Sequence, residues 1–147
     1  MTYFRITIEI QALPDRVWSV MRDVERWPEW TATVTSIRLM DHDGLNVGSR
    51  AMVRQPKLLP ATWEVTELKE GSSFTWVTRS PGLQVIARHL VEANGTGSRA
   101  TLSIQFSGLL GPLIARFTRA LNQRYLAIEA EGLRKRSETD RQSAATG

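Results

Sequence analysis

The residues with the most chemical reach are one histidine and a set of tryptophans. The chain holds two histidines and no cysteine. His89 stands in a run where Leu83, Val85, Ala87, His89 and Val91 alternate with Gln84, Ile86, Arg88, Leu90 and Glu92. A period of two places the first set on one face of a strand. That face is the more apolar, so His89 is expected to point inward. There it is either a core histidine satisfied by one hydrogen bond, the commoner role, or a proton donor or polar hook inside a ligand cavity. Desolvation disfavours imidazolium, so the ring is expected to be neutral and to offer one donor and one acceptor. His42, between Asp41 and Asp43 in a turn, reads as solvated.

Five tryptophans are many for 147 residues. Trp27 and Trp30 flank Pro28-Glu29, Trp63 and Trp76 lie in neighbouring strands, and Trp18 sits beside a Val17, Met21, Val24 helical stripe. Packing in the core accounts for such residues most often. A cavity wall for ring-shaped ligands is the alternative, since each indole offers a broad apolar face and one donor. The carboxylates form no inward-facing pair. Glu9, Glu64 and Glu92 alternate outward, and only Glu67 falls on the Trp63, Val65 side. Arg116, Arg119 and Arg134 read as a solvated helix face, diluted by Glu129, Glu131 and Glu138. In the loop Gln55-Pro56-Lys57-Leu58-Leu59-Pro60, two leucines serve as a cap on the core, as a lid, or as a contact for a membrane or partner.

Much chemistry is excluded. Without cysteine there is no disulfide framework, thiolate metal site or cysteine nucleophile. One inward histidine is too little for a transition-metal site, so no metal and no cofactor are expected. No Ser-His-Asp arrangement can be named. The net charge of +4 and pI of about 10.1 raise the question of nucleic acid, but 19 Lys and Arg face 15 Asp and Glu and are spread along the chain. No glycine-rich phosphate loop and no aromatic-basic pattern supports nucleic-acid binding. No apolar run approaches the ~18 residues of a transmembrane segment. The alternating, charged start MTYFRITIEI is unlike a signal peptide. A cysteine-free chain is compatible with the cytoplasm, the location expected.

The elements that must position these residues follow from periodicity. Phe4, Ile6, Ile8 and Ile10 alternate with Tyr3, Arg5, Thr7 and Glu9, which predicts a strand. Pro14 and Asp15 then open a helix, and a second short helical turn covers 25–30. Strands are predicted over 34–40, 48–55, 61–69, 74–79, 83–93 and 99–107. Turn chemistry separates them, most strongly at Asn94-Gly95. Gly111-Pro112 opens the longest helical pattern, with Ile114, Phe117, Leu121, Tyr125, Ile128 and Gly132 on one stripe. A helix over 112–136 would be roughly 37 Å long, enough to cross the whole sheet. Leu, Ile, Val and Phe make a quarter of the chain, enough for a single-domain core. The prediction is an α+β domain: one seven-stranded antiparallel sheet, two short helices after the first strand, and a long C-terminal helix. If the sheet curls around that helix, a cavity between them is the place to look for function.

The residues also carry a family likeness. The opening strand leads into Leu13-Pro14-Asp15-Arg16-Val17-Trp18 and Asp23-Val24-Glu25-Arg26-Trp27-Pro28-Glu29-Trp30. With Val47-Gly48-Ser49-Arg50, Trp63-Glu64-Val65-Thr66-Glu67, Phe74-Thr75-Trp76, the turn at 95–99 and Phe106-Ser107-Gly108, this resembles the START-like (SRPBCC) superfamily, and within it the polyketide cyclase/dehydrase and lipid-transport group. The likeness spans roughly residues 3–136. It implies a helix-grip fold whose sheet wraps the C-terminal helix around a deep cavity for lipids or aromatic polyketides. Its members share no single catalytic residue set, so no catalytic position is transferred. Nothing resembles the Rieske-linked hydroxylases, which need Cys and His.

A START-like helix-grip domain over residues 1–137 and a disordered tail over 138–147 are expected. The expected function is binding of a small apolar ligand, with a cyclase or dehydratase for an aromatic precursor as the alternative. The expected cavity lining is Leu102, Ile104 and Phe106 from the last strand and Val85, Ala87 and His89 from its neighbour. Trp63 and Trp76 add aromatic surface, and Phe117, Leu121 and Tyr125 face them from the helix. His89 and Tyr125, with Arg124 at the stripe's edge, would anchor polar groups. A homodimer is the expected assembly, with no nucleic-acid partner.

Overall fold

Alternation in the first ten residues produces β1 (Thr2–Ile10), with Phe4, Ile6, Ile8 and Ile10 turned to the interior. The structure is a computed structural model that describes residues 2–41 and 43–146, with side chains as far as Thr139. His42, read as solvated, lies outside the described residues; of the expected tail over 138–147, the backbone is helical as far as Thr146 and the side chains are described as far as Thr139. Glu138 itself accepts a 2.8 Å hydrogen bond from the Gln11 backbone N–H.

Pro14 occupies the first turn of α1 (Pro14–Arg22), where no N–H is needed, and Asp15 lies at the positive end of the helix dipole. α1 buries Val17, Trp18, Val20 and Met21. The second helical turn is a 3-10 helix, Val24–Glu29, whose Val24 and Trp27 are buried. The strands then run β2 (Ser36–Leu39), β3 (Arg50–Arg54), β4 (Ala61–Lys69), β5 (Ser73–Ser80), β6 (Leu83–Asn94) and β7 (Gly97–Ser107). They form one antiparallel sheet of order β1-β7-β6-β5-β4-β3-β2. Every pair is sequence-adjacent except β1 with β7, which close in register from Thr2↔Phe106 to Ile10↔Ser98.

Glu67 does not point inward. The register shifts between Val65 and Glu67, so Val65 pairs with Trp76 but Leu68 pairs with Phe74. The extra residue of this bulge moves Glu67 to the exposed side and gives Leu68 the core side.

The C-terminal segment is two helices, α2 (Gly111–Phe117) and α3 (Arg119–Thr146). The break falls at Thr118. Its hydroxyl donates to the Ile114 carbonyl at 2.7 Å, a back-bond that bends helices. Gly108, at φ 93°, turns the chain into α2, and a Cβ there would stand 2.6 Å from the Gly82 carbonyl oxygen. The segment does not turn its most apolar stripe to the sheet. Phe117 is 79% exposed, and Ala115, Ala130 and Leu133 are buried instead. Gly132 allows a close approach to the end of the 3-10 turn: a Cβ would lie 2.1 Å from the Trp30 carbonyl oxygen.

The densest packing lies at the end closed by α1 and the 3-10 turn, where Val17, Met21, Val24, Val65 and Phe74 are all but inaccessible. No helix among the described residues is long and apolar enough to cross a membrane.

Candidate ligand cavity

The concave face of the sheet and the α2–α3 segment enclose a cavity of about 700 Å³. β6 and β7 build its floor because their alternation is unbroken. Val85, Ala87 and His89 line it from β6, and Leu102, Ile104 and Phe106 from β7. Trp63 of β4 and Trp76 of β5 form one wall, their rings 5.7 Å apart. Tyr125 of α3 completes the opposite wall.

Two residues expected in the lining are elsewhere. Phe117 projects into solvent, and half-buried Leu121 does not reach the cavity. From Thr118 on, the residues turned inward lie one position past the most apolar stripe: Ile114, Thr118, Asn122, Leu126 and Glu129 line the cavity in one helical register. Polar anchoring changes too. The Tyr125 hydroxyl donates to the Pro56 carbonyl at 2.6 Å, which ties α3 to the 55–60 loop. Arg124 is exposed and outside the lining. The Arg134 expected on a solvated face pairs with Glu131 and Glu138.

The mouth and the inner end differ in character. At the mouth lie exposed Lys57, Leu58, Leu59 and Pro60, together with Arg79 and Ser80. Lys57 holds a φ of 66°, uncommon for a residue with a Cβ. At the inner end Trp27, Trp76, His89 and Leu102 are each at most 4% exposed. Trp27 packs edge-on against His89 with centroids 5.2 Å apart, and its indole N–H donates to the Met21 carbonyl at 3.0 Å. Phe74 stacks flat behind the imidazole at 4.3 Å and 12°. Trp18 and Trp30 do not reach the cavity and serve the core.

Glu129 is the functional candidate that the sequence pattern hid. Its Oε1 lies 3.8 Å from His89 Nε2, beyond hydrogen-bond range. His89 Nδ1 is buried and has no hydrogen-bond partner among the described residues. Desolvation pulls the imidazole pKa down to about 4, only partly opposed by the Phe74 backbone. Desolvation likewise pushes the Glu129 carboxyl up to about 7. Both groups are therefore mostly uncharged just below neutrality, the state a low-dielectric enclosure favours. The other polar side chains near the helix break satisfy one another: Asn122 Nδ2 donates to Thr118 Oγ1 at 2.9 Å. Gln55 donates to the Thr33 carbonyl at 3.1 Å.

A sheet gripping a C-terminal helix around an apolar cavity defines a helix-grip protein. The chain matches the family model for polyketide cyclase / dehydrase and lipid transport over residues 1–138, and it belongs to that family. Among solved structures it is similar to TTHA0849 from Thermus thermophilus, with a TM-score of 0.75 at 17% identity over 95% of this chain and 99% of that one. It is also similar to the di-domain ARO/CYC StfQ from the steffimycin biosynthetic pathway, with a TM-score of 0.75 at 8% identity over 95% of this chain and 51% of that one. Ara h 8.0201 matches with a TM-score of 0.66 at 14% identity, over 90% of this chain and 97% of that one. No curated protein matches the chain in sequence.

Proposed function

We propose that this protein binds a small hydrophobic ligand, of lipid or polyketide type, in the cavity between sheet and helix. The observation that carries the reading is a cavity of about 700 Å³, within the range of drug-sized ligand sites, walled by apolar and aromatic side chains. In this reading Trp63, Trp76, Val85, Ala87, Leu102, Ile104 and Phe106 supply the apolar contact, and His89 supplies a polar hook. Residues 1–137 are the binding domain, the location is cytoplasmic, and a homodimer is the assembly. Native mass spectrometry of protein purified from its own host tests the reading. A co-purifying small molecule is expected, and its loss in a folded Ala87→Trp variant would tie it to the cavity. Apo masses for both proteins, with no uptake of added hydrophobic compounds, would contradict it.

The His89–Glu129 pair favours one second reading, an enzyme of cyclase or dehydratase type. A positioned acid and base inside an enclosed cavity can move protons on a folded substrate. Turnover lost with binding retained in His89→Phe would support that reading over pure binding.

A further inference from the structure

We propose that the inner end of the cavity is a receptor for one uncharged oxygen, a ketone or a phenol, carried by an otherwise apolar ring-sized ligand and held between the Glu129 carboxyl and the His89 imidazole. The inference rests on the cavity-binding reading and assigns its ligand a chemical class.

The geometry leaves a place for that oxygen. Glu129 Oε1 and His89 Nε2 are 3.8 Å apart, too far to bond each other. An oxygen at a hydrogen-bond distance of about 2.8 Å from both spans that gap. Among the described residues no donor hydrogen-bonds the Glu129 carboxyl, although its side chain is only 14% exposed and lines the cavity. A buried polar group without a partner is costly unless something else supplies the bond. The ring behind the site is fixed: Phe74 stacks on His89 and Trp27 and Trp76 pack edge-on, so the imidazole does not swing to meet Glu129.

The charge environment selects an uncharged head. The titratable or charged groups that line the cavity are His89 from β6, Tyr125 and Glu129 from α3, Arg79 from β5 and Lys57 from the 55–60 loop. The two cations are exposed at the mouth, and the 3-10 turn and β7 contribute none. An anionic head at the inner end would meet a carboxyl and a neutral ring with no compensating charge. A carboxylate-bearing ligand is therefore expected to turn its charged end to Lys57 and Arg79. A carbonyl oxygen instead accepts from the protonated Glu129 and from imidazole N–H, while a phenol donates to one group and accepts from the other.

The test uses a matched pair of probes, 2-acetylnaphthalene and 2-ethylnaphthalene, which share a shape and differ by the carbonyl. Affinities are read by tryptophan fluorescence for wild type, Glu129→Gln and Glu129→Leu, with circular dichroism to confirm folding. The ketone-to-ethyl affinity ratio is expected to fall about tenfold in Glu129→Leu, the loss of roughly one hydrogen bond. Glu129→Gln, which keeps an N–H donor, is expected to retain most of the ratio. In wild type the ratio is expected to fall between pH 5.5 and pH 8.5, as Glu129 loses its proton around about 7, and to stay level in Glu129→Gln. An unchanged ratio in Glu129→Leu, or a pH-independent ratio in wild type, would overturn the assignment and leave cavity binding standing. Failure of both probes to bind wild type would overturn cavity binding and this assignment together.

Discussion

His89 Nε2 and Glu129 Oε1 face each other across 3.8 Å at the closed end of the cavity, and the same desolvation moves their proton affinities in opposite directions. The native Glu129 keeps its proton up to about 7, whereas a carboxyl normally releases it near 4.5. Its stabilising contribution is full below 4.5 and lost as pH rises through about 7. The native His89 resists protonation down to about 4, against an ordinary 6.5. Its contribution is full above 6.5 and lost as pH falls through about 4. Over the shared window the two slopes oppose each other in wild type.

Substitution should separate them. The stability of wild type relative to Glu129→Gln is expected to drop by up to about 3 kcal/mol between pH 4.5 and 7. Relative to His89→Phe, wild type is expected to lose a similar amount as pH falls from 6.5 to 4. Urea denaturation of the three proteins across roughly pH 4 to 8 measures both differences. Parallel curves would show that neither group is desolvated in the native state.

Gly132 is expected to tolerate no side chain. The Cβ of an alanine would stand 2.1 Å from the Trp30 carbonyl oxygen, and backbone cannot swing aside as a flexible side chain can. Alanine favours helices by about 1 kcal/mol over glycine, so an unconstrained helix site would be stabilised by the change. Here Gly132→Ala should instead destabilise by about 2 kcal/mol or more, with α3 pushed off the 3-10 turn. A denaturation midpoint at or above wild type would refute the close approach.

Phe117 and Phe74 should behave oppositely although both are phenylalanines. Phe74 is fully buried among Trp18, Trp27, Trp76 and His89, and Phe74→Ala is expected to cost about 3–5 kcal/mol. Phe117 is 79% exposed, and Phe117→Ala is expected to change stability by no more than about 0.5 kcal/mol. Thermal or chemical melts of the two variants decide the point. A large loss in Phe117→Ala would restore the straight-helix arrangement drawn from the apolar stripe.

The sheet was legible because strand chemistry is local. Unbroken alternation in 2–10 and 83–93 told which side chains face inward, His89 among them, and Asn94-Gly95 marked the β6–β7 turn. The bulge that turns Glu67 outward was not legible, because one inserted residue leaves no mark on composition. The inward face of the C-terminal segment was hidden for a different reason. A helix packed on a full core shows its interior face as its most apolar stripe, and that rule selected Phe117 and Leu121. This helix faces a cavity, and residues opposite open space are free to be small or polar. Thr118, Asn122 and Glu129 are such residues, in phase with buried Ala115, Ala130 and Leu133. Glu129 then read as a solvated helix carboxylate, the usual setting for that residue type. Its spacing from Asn122 and Leu126 was the one available signal, and it carries meaning only once the face that the helix turns to the cavity is known.

The central claim is that a hydrophobic ligand enters the cavity and contacts its floor. Methyl-labelled NMR spectra during titration with 2-ethylnaphthalene test it most directly. The inward methyls of Val85, Ala87, Leu102 and Ile104 should shift in a saturable way, while Ile86 and Leu90 on the other face of β6 stay in place. Shifts confined to exposed Leu59, Leu109 and Leu113, or no saturable shifts at all, would contradict it.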